Sequence, residues 1–325
     1  MPPAPPDLTI RPLSGPDELD LFCRLTYLLD EELADDLAAG RRRPDWLWVA
    51  LRGDRLVARV GWWGRAGDPT PLVMDVFDLD DADGEEVVEV GVRLVETATR
   101  HVVPEGARAP EYSRFLGAAW RDDPSERRAV EARMAALERT GARLFVERLR
   151  LEWRPGRPLP AASQRLTFRA VRDRAELVGL MTEVMDGTLD AHSRADLATM
   201  SPAQGAAKHY DGELDRYLSP REWWRVAALP SGDPVGFVVP ARNDYNAIIA
   251  YLGVLPAYRG HGYIDDILAE GTRVLAAQGV PRIRASTDVG NVPMARAFAR
   301  AGYVTFQRQI DLQWSGVSRS RGRAS

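Results

Sequence analysis

Val254-Leu255-Pro256-Ala257-Tyr258-Arg259-Gly260-His261-Gly262-Tyr263-Ile264 follows an apolar run, Ala247 to Val254, and leads into a helical pattern that continues to Ala277. The order is a strand, a turn opened by Pro256 and a helix N-terminus. Gly260 and Gly262 carry no Cβ, so backbone N–H groups can close around an anion there. The positive end of the helix dipole and Arg259 add charge of the matching sign. The turn reads as a holder for a phosphate or pyrophosphate.

Outward from this turn, the chain repeats itself. Thr9-Ile10-Arg11 and Thr167-Phe168-Arg169 each open a short strand, followed by a helical pattern at Glu18-Leu19 and Glu176-Leu177, an offset of 158. Later, Arg139-Thr140-Gly141 matches Arg300-Ala301-Gly302, and Leu149 to Trp153 matches Ile310 to Trp314, both offset by 161. Each half runs strand, helix, strand pair, strand, helix, strand, helix and strand pair, which predicts a mixed α/β sheet twice over. Arg154-Pro155-Gly156-Arg157-Pro158-Leu159-Pro160 continues neither strand nor helix and reads as a linker. The expected division is a first domain over 1–154, a linker over 155–164, a second domain over 165–316 and a flexible tail over 317–325. Trp46-Leu47-Trp48-Val49 and Trp223-Trp224-Arg225-Val226 are offset by 177, so the second half carries extra residues between Asp186 and Pro220. That insertion, with Asp190, His192, His209, Tyr210, Asp211 and Tyr217, is either a lid or a surface excursion. Trp223 and Trp224 are expected in a strand core.

Composition narrows the classes. The chain has 325 residues, 45% of them apolar, and nine Trp, enough for real cores. Net charge is −4, and the basic residues are almost all arginine, with Lys208 the one lysine. Beyond Arg319, Arg321 and Arg323 no basic residues are segregated, so no nucleic-acid footprint is expected. Met1 to Leu13 is Pro-rich without an apolar core, and no run reaches the ~20 apolar residues of a membrane span, so a cytoplasmic protein without membrane contact is expected. Cys23 is the lone cysteine, flanked by Phe22 and Leu25, which excludes disulfides and clustered thiolate metal sites; no metal is expected.

With strand, turn and helix in place, Val254 to Gly262 resembles the acyl-CoA signature V-x-P-x-x-R-G-x-G-x-G/A of the GNAT acyltransferase superfamily. Asn291, Met294, Phe298, Gly302 and Tyr303 fall on that family's second motif, N-x-x-A-x-x-x-Y-x-x-x-G-F/Y. The resemblance is specific over Thr167 to Trp314, and the repeat extends it to Thr9 to Trp153. It implies two GNAT-like domains in tandem, each a mostly antiparallel mixed sheet with helices on both faces. In the first copy, Asp78-Leu79-Asp80-Asp81-Ala82-Asp83-Gly84-Glu85-Glu86 stands in place of the glycine turn, and carboxylates there repel a pyrophosphate. The first copy is therefore expected to be a degenerate partner and the second to bind CoA.

The resemblance implies that Leu252, Gly253 and Val254 form a splayed strand end that receives the pantetheine arm and polarises the thioester carbonyl. Arg259, Gly260, His261, Gly262, Tyr263 and Ile264 would hold the pyrophosphate, with Arg259 the foremost phosphate contact. Ile264 replaces the family's Gly or Ala. Asn291 is a helix cap in any protein, and in the family it also touches CoA. Phe298 stands where many members carry a tyrosine that protonates the CoA thiolate, so that proton must come from water or another hydroxyl such as Tyr263 or Tyr303. For the base that deprotonates an amine, Asp244, Tyr245, His192 and His209 are the candidates. The expected activity is acetyl transfer from acetyl-CoA to a primary amine of a small molecule by direct attack, in a monomer or homodimer. A mycothiol-synthase-like acetyltransferase and a non-catalytic acyl-CoA-binding sensor are the alternatives.

Overall fold

The computed structural model describes residues 7–80, 86–159, 161–162 and 164–314. The acidic run at Asp81 to Glu85 and the tail over 317–325 lie outside the described residues. Two compact units divide the chain. One contains the residues up to Phe145 together with those from Gln309 onward, and the other spans Val146–Arg308. The boundaries fall inside two long strands, not in the Pro-rich segment, so the units differ from the sequence division by one strand segment each. Among the described residues, no helix is long and apolar enough to cross a membrane.

In the first unit the order is β1 (Leu8–Pro12), α1 (Leu19–Phe22), α2 (Asp30–Ala38), β2 (Leu47–Arg52), β3 (Arg55–Trp63), β4 (Val73–Leu79), α3 (Val87–Val102), β5 (Glu111–Gly117) and α4 (Pro124–Arg139), with β6 (Ala142–Trp153) beginning there. Strands β1 to β4 are antiparallel, and β4 pairs β5 in parallel. Both faces are covered. Leu94, Val95 and Ala98 of α3 pack with Leu137 of α4 on one side, while Phe22 and Leu33 meet Leu47, Val49 and Val76 on the other. Each such side chain, fully buried, contributes about 1.5–3 kcal/mol. Residues 309–314 complete this unit, where Ile310 and Leu312 enter its core.

The second unit repeats the order. It holds β7 (Thr167–Ala170), α5 (Arg174–Val184), α6 (Ala191–Leu197), α7 (Pro202–Gly212), β8 (Arg225–Ala228), β9 (Pro234–Arg242), β10 (Ala247–Val254), α8 (Tyr263–Ala276), β11 (Ile283–Asp288), α9 (Val292–Arg300) and the start of β12 (Val304–Trp314). Strands β7 to β10 are antiparallel, β10 pairs β11 in parallel, and β11 pairs residues 148–153 of β6 antiparallel. Helices α8 and α9 cover one face, and α5 and α7 the other. Local chemistry fixes the helix starts. Asp173 caps α5, Ser201 and Gln204 form a capping box on α7, and Asn291 caps α9 with proline in the first turn. Gly271 lets α8 rest on β9, since a Cβ there would stand 2.6 Å from Val238.

The insertion is mostly helical, forming α6 and α7. One expectation needs correction: Trp223 closes a short 3₁₀ turn, Arg221–Trp223, and Trp224 precedes β8 instead of lying in it. Pro220 sets that turn, because its ring fixes φ and removes a ladder donor. Trp224 is nevertheless core, 2% exposed.

Candidate active site

Strands β10 and β11 begin as neighbours and then part. Only Ala247 with Ile283 and Ile248 with Arg284 are paired. Beyond them β10 stays with β9 as far as Val254 opposite Gly236, while β11 follows β6 as far as Asp288 opposite Arg148. A bulge between Ile249 and Tyr251 marks the departure. The wedge opens into a cavity of about 480 Å³, the size of a small-molecule site. Leu252, Gly253 and Val254 line it, as do Gly260, Gly262, Tyr263, Ile264 and Asn291.

At the mouth of the wedge, the glycine turn takes the conformation that only glycine adopts freely. Gly260 has φ 82° and Gly262, the N-cap of α8, has φ 73°. A Cβ on Gly260 would meet nothing within 4 Å, so the requirement there is conformational, not spatial. The first turn of α8 carries Asp265 and Asp266, charges that by themselves would repel a phosphate. Each is paired, Asp265 with Arg300 at 2.7 Å and Asp266 with Arg165. Arg165 also donates to the carbonyl of His261 at 3.0 Å and lies over the Tyr263 ring at 5.0 Å. His261 is exposed, its ring stacked on Tyr263 with centroids 5.9 Å apart, and lies outside the cavity lining.

Arg259 also lines the cavity, and its side chain is bonded to the protein as well. Its Nε donates to Val254 O at 3.2 Å, Nη1 to Asp186 O at 2.6 Å and Nη2 to Val184 O at 2.9 Å. Three of a guanidinium's five N–H donors are thus committed to carbonyls, two of them where α5 ends. These acceptors are the open C-terminal carbonyls of the helix, which attract a cation. The side chain ties the turn to α5 and keeps two N–H donors uncommitted at the cavity wall.

Gly253 lies past the bulge, at a tight place on β10. A Cβ on it would stand 2.9 Å from Val184 Cγ1, so its place is a close crossing of α5 over the strand. On β9, Gly236 is tighter still: a Cβ there would fall 2.2 Å from Gly253 O.

The expected catalytic residues scatter. Asp244 and Tyr245 are exposed in the turn before β10, where Asn243 Oδ1 accepts from Tyr245 N at 3.0 Å and Asn246 N at 2.7 Å. That is the end of β10 away from the glycine turn. His209 packs its ring on Tyr251, centroids 5.0 Å apart, beside Glu213 at 3.7 Å. His192 lies on the first turn of α6, half-buried, and neither histidine lines the cavity. Phe298 is 1% exposed, edge-on to Tyr303, and is core as its residue type suggests. The Tyr303 hydroxyl is buried against Thr272 Oγ1 at 2.9 Å, and burial pushes its proton loss far up. Of the hydroxyls expected to serve CoA thiolate, Tyr263 is the one in the cavity wall.

The cavity adds residues that the sequence did not assign: Arg148, Asp190, Ser286 and Thr287. Asp190 was visible within the insertion, but Arg148 precedes the linker and carries no motif.

Residues 192–303 match the model of the Acetyltransferase (GNAT) family. Similar solved structures span the whole chain. A GCN5-related N-acetyltransferase from Sphaerobacter thermophilus is 17% identical with a TM-score of 0.58, covering 95% of this chain and 96% of that one. A tandem GNAT protein from the clavulanic acid biosynthesis pathway, solved without acetyl-CoA, is 16% identical with a TM-score of 0.51, covering 94% and 98%. A GCN5-related glucosamine N-acetyltransferase region of a fungal multi-domain β-N-acetylglucosaminidase is 16% identical with a TM-score of 0.55, covering 95% of this chain and 38% of that one.

Proposed function

We propose that the second unit, whose residues 192–303 match the Acetyltransferase (GNAT) family, transfers an acetyl group from acetyl-CoA to a primary amine of a small molecule by direct attack. The observation that carries this reading is the parting of β10 from β11 after Ile248 and Arg284, with the Gly260–Gly262 turn at its mouth. A pyrophosphate fits the N-terminus of α8, where N–H groups and the helix dipole face it. The pantetheine arm then runs along the edge of β10 at Leu252 to Val254, and a strand N–H polarises the thioester carbonyl as its oxygen gains charge. The departing thiolate takes its proton from water in the cavity.

We also infer that the first unit holds no CoA. Its β4 and β5 pair only at Val73 with Glu111 and Met74 with Tyr112, so they part in the same way. Near that opening lies Asp78, 4% exposed, bound by Arg59 at 2.9 Å and Arg114 at 2.8 Å, with Arg133 at 3.6 Å. Arg114 and Arg133 of this cluster also line a cavity of about 400 Å³ with Tyr27, Gly117 and Glu126, so space remains there, and it is the glycine turn that this unit lacks.

The test is thiol release from acetyl-CoA against a panel of primary amines, beside calorimetry of acetyl-CoA binding. Turnover with one bound acetyl-CoA per chain is expected. Tight binding with no turnover on any amine overturns the enzymatic reading.

A further inference from the structure

The cavity has a second end that the acetyl donor does not occupy in this reading. There its wall is formed by Asp190 ahead of α6, Arg148 on β6, and Ser286 and Thr287 on β11. Arg148 lies between two carboxylates, its Nε 3.1 Å from Asp288 Oδ1 and its Nη2 4.0 Å from Asp190 Oδ2. Asp288 is 3% exposed. Its Oδ2 accepts the Ala191 N–H at 2.7 Å, but its Oδ1, though buried, accepts no hydrogen bond, and the Arg148 Nε 3.1 Å away, an ion-pair contact, donates none. Ser286 Oγ is buried without a partner as well. Asp190 caps α6, with Oδ1 accepting from Ser193 N at 2.7 Å.

Charge and burial together define what this end lacks. Two carboxylates against one guanidinium leave one negative charge in excess, beside the apolar side chains of Leu189 and Ile249. A buried acceptor without a donor and an uncompensated charge both cost free energy until a cation with N–H donors arrives. The two acids are also set apart. Burial pushes the Asp288 carboxyl up, with Asp190 adding to it and the Ala191 N–H and Arg148 only partly opposing. Burial works against the Asp190 charge too, but the Ser193 N–H and Arg148 outweigh it and hold that carboxyl below its usual range. His192, the other titratable group facing both, is on α6.

We propose that Asp190, backed by Asp288 and Arg148, is the acceptor subsite, and that it selects a primary amine entering as a monocation with no carboxylate of its own. The inference rests on the acetyl-transfer reading above. Asp190 touches the ammonium, and Asp288 and Arg148 position it. One ammonium N–H bond breaks and its proton passes to the carboxylate pair. The freed nitrogen lone pair forms the C–N bond at the thioester carbon, and the C–S bond breaks. The thiolate takes a proton through cavity water, which regains one from the nitrogen as the amide forms. The carboxylate pair releases its proton to solvent, so one proton leaves per turnover.

Phenethylamine and its carboxylated counterpart phenylalanine are the probes, in thiol release and in calorimetry on CoA-saturated protein. The wild type is expected to favour phenethylamine by about 100-fold in kcat/KM. Asp190→Asn keeps a side-chain oxygen for the α6 cap, so the fold is retained. It is expected to cut kcat/KM for phenethylamine by about 100-fold while the acetyl-CoA Kd holds within about two-fold. Asp288→Asn should move the acidic limb of the kcat/KM profile to lower pH with the same Kd, which loss of packing alone would not do. Equal use of the two probes, no phenethylamine binding to CoA-saturated wild type, or an Asp190→Asn protein as active as wild type overturns the subsite. Failure of the wild type to bind acetyl-CoA overturns the transfer reading itself.

Discussion

Glu18 and Glu176, 158 residues apart, accept the same three hydrogen bonds, and Glu176 accepts a fourth from Arg172 Nε at 2.9 Å. Arg11 forks onto Glu18 at 2.7 and 2.7 Å, and Arg169 onto Glu176 at 3.0 and 2.6 Å; the backbone N–H four residues earlier, of Ser14 or Arg172, completes each set. Hydrogen bonding from Arg11 in one case and Arg169 in the other, with the backbone N–H, lowers each carboxyl to about 2. A carboxyl depressed in the folded state adds stability above its unfolded value, near 4.5, and loses it as pH falls toward 2. Urea unfolding of Glu176→Gln should therefore lie below wild type at pH 7, with the gap closing between pH 4.5 and 2.

Removing the carboxylate at Asp78 should do more damage. Asp78→Asn leaves Arg59 and Arg114 buried without their shared anion, and breaking such a cluster from one side costs about 3–5 kcal/mol. Its carboxyl is held low by Arg114 and Arg59 despite burial that opposes the charge, so this contribution also fades as pH falls. Chemical denaturation of the variant at neutral pH measures it.

Gly236→Ala is predicted to act at a distance from its own strand. The added methyl would meet Gly253 O at 2.2 Å and so must push β10 toward the wedge. Overpacking of this kind costs about 1–3 kcal/mol, and acetyl-CoA affinity should fall with it. Calorimetry and urea unfolding on one sample separate the two effects.

Arg259→Ala removes three hydrogen bonds to carbonyls, and bonds to charged groups are worth about 1.5–3 kcal/mol each before solvent exposure reduces them. Amide exchange should rise at the end of α5 and the acetyl-CoA KM should increase. Arg259→Lys should not restore either, since an ammonium cannot span acceptors placed around a planar fork.

Tyr263→Phe is expected to raise the acetyl-CoA KM with kcat little changed, since Tyr263 stands at the pyrophosphate end of the cavity. Phe298→Tyr should not raise kcat. Its ring is 1% exposed against Tyr303, and a hydroxyl there would be buried away from the cavity.

What could be read from the chain before its structure follows from the range of each interaction. The strand, turn and helix around Gly260 depend on neighbours within a few residues, and β10 spans the apolar run Ala247 to Val254 as read. Phe298 was legible as core for the same reason. The hold of the Arg259 side chain on α5 was not, because those two of its carbonyl partners lie 73 and 75 residues earlier. Ala191, next to Asp190, donates to Asp288 across 97 residues, and no local pattern announces it. Asp244 was a reasonable base by type, but a carboxylate ahead of a strand is as far from that strand's far end as the strand is long.

The division of the chain at Phe145 and Gln309 has a consequence for how the protein is made. A first unit that takes residues 309–314 into its core cannot be finished when its own helices have left the ribosome; it waits until the entire second unit has been translated. Domains that close in order of synthesis can each be released complete. Here the opening half of the chain must remain an unfinished nascent structure, with the places of Ile310 and Leu312 unfilled, until the last core segment emerges.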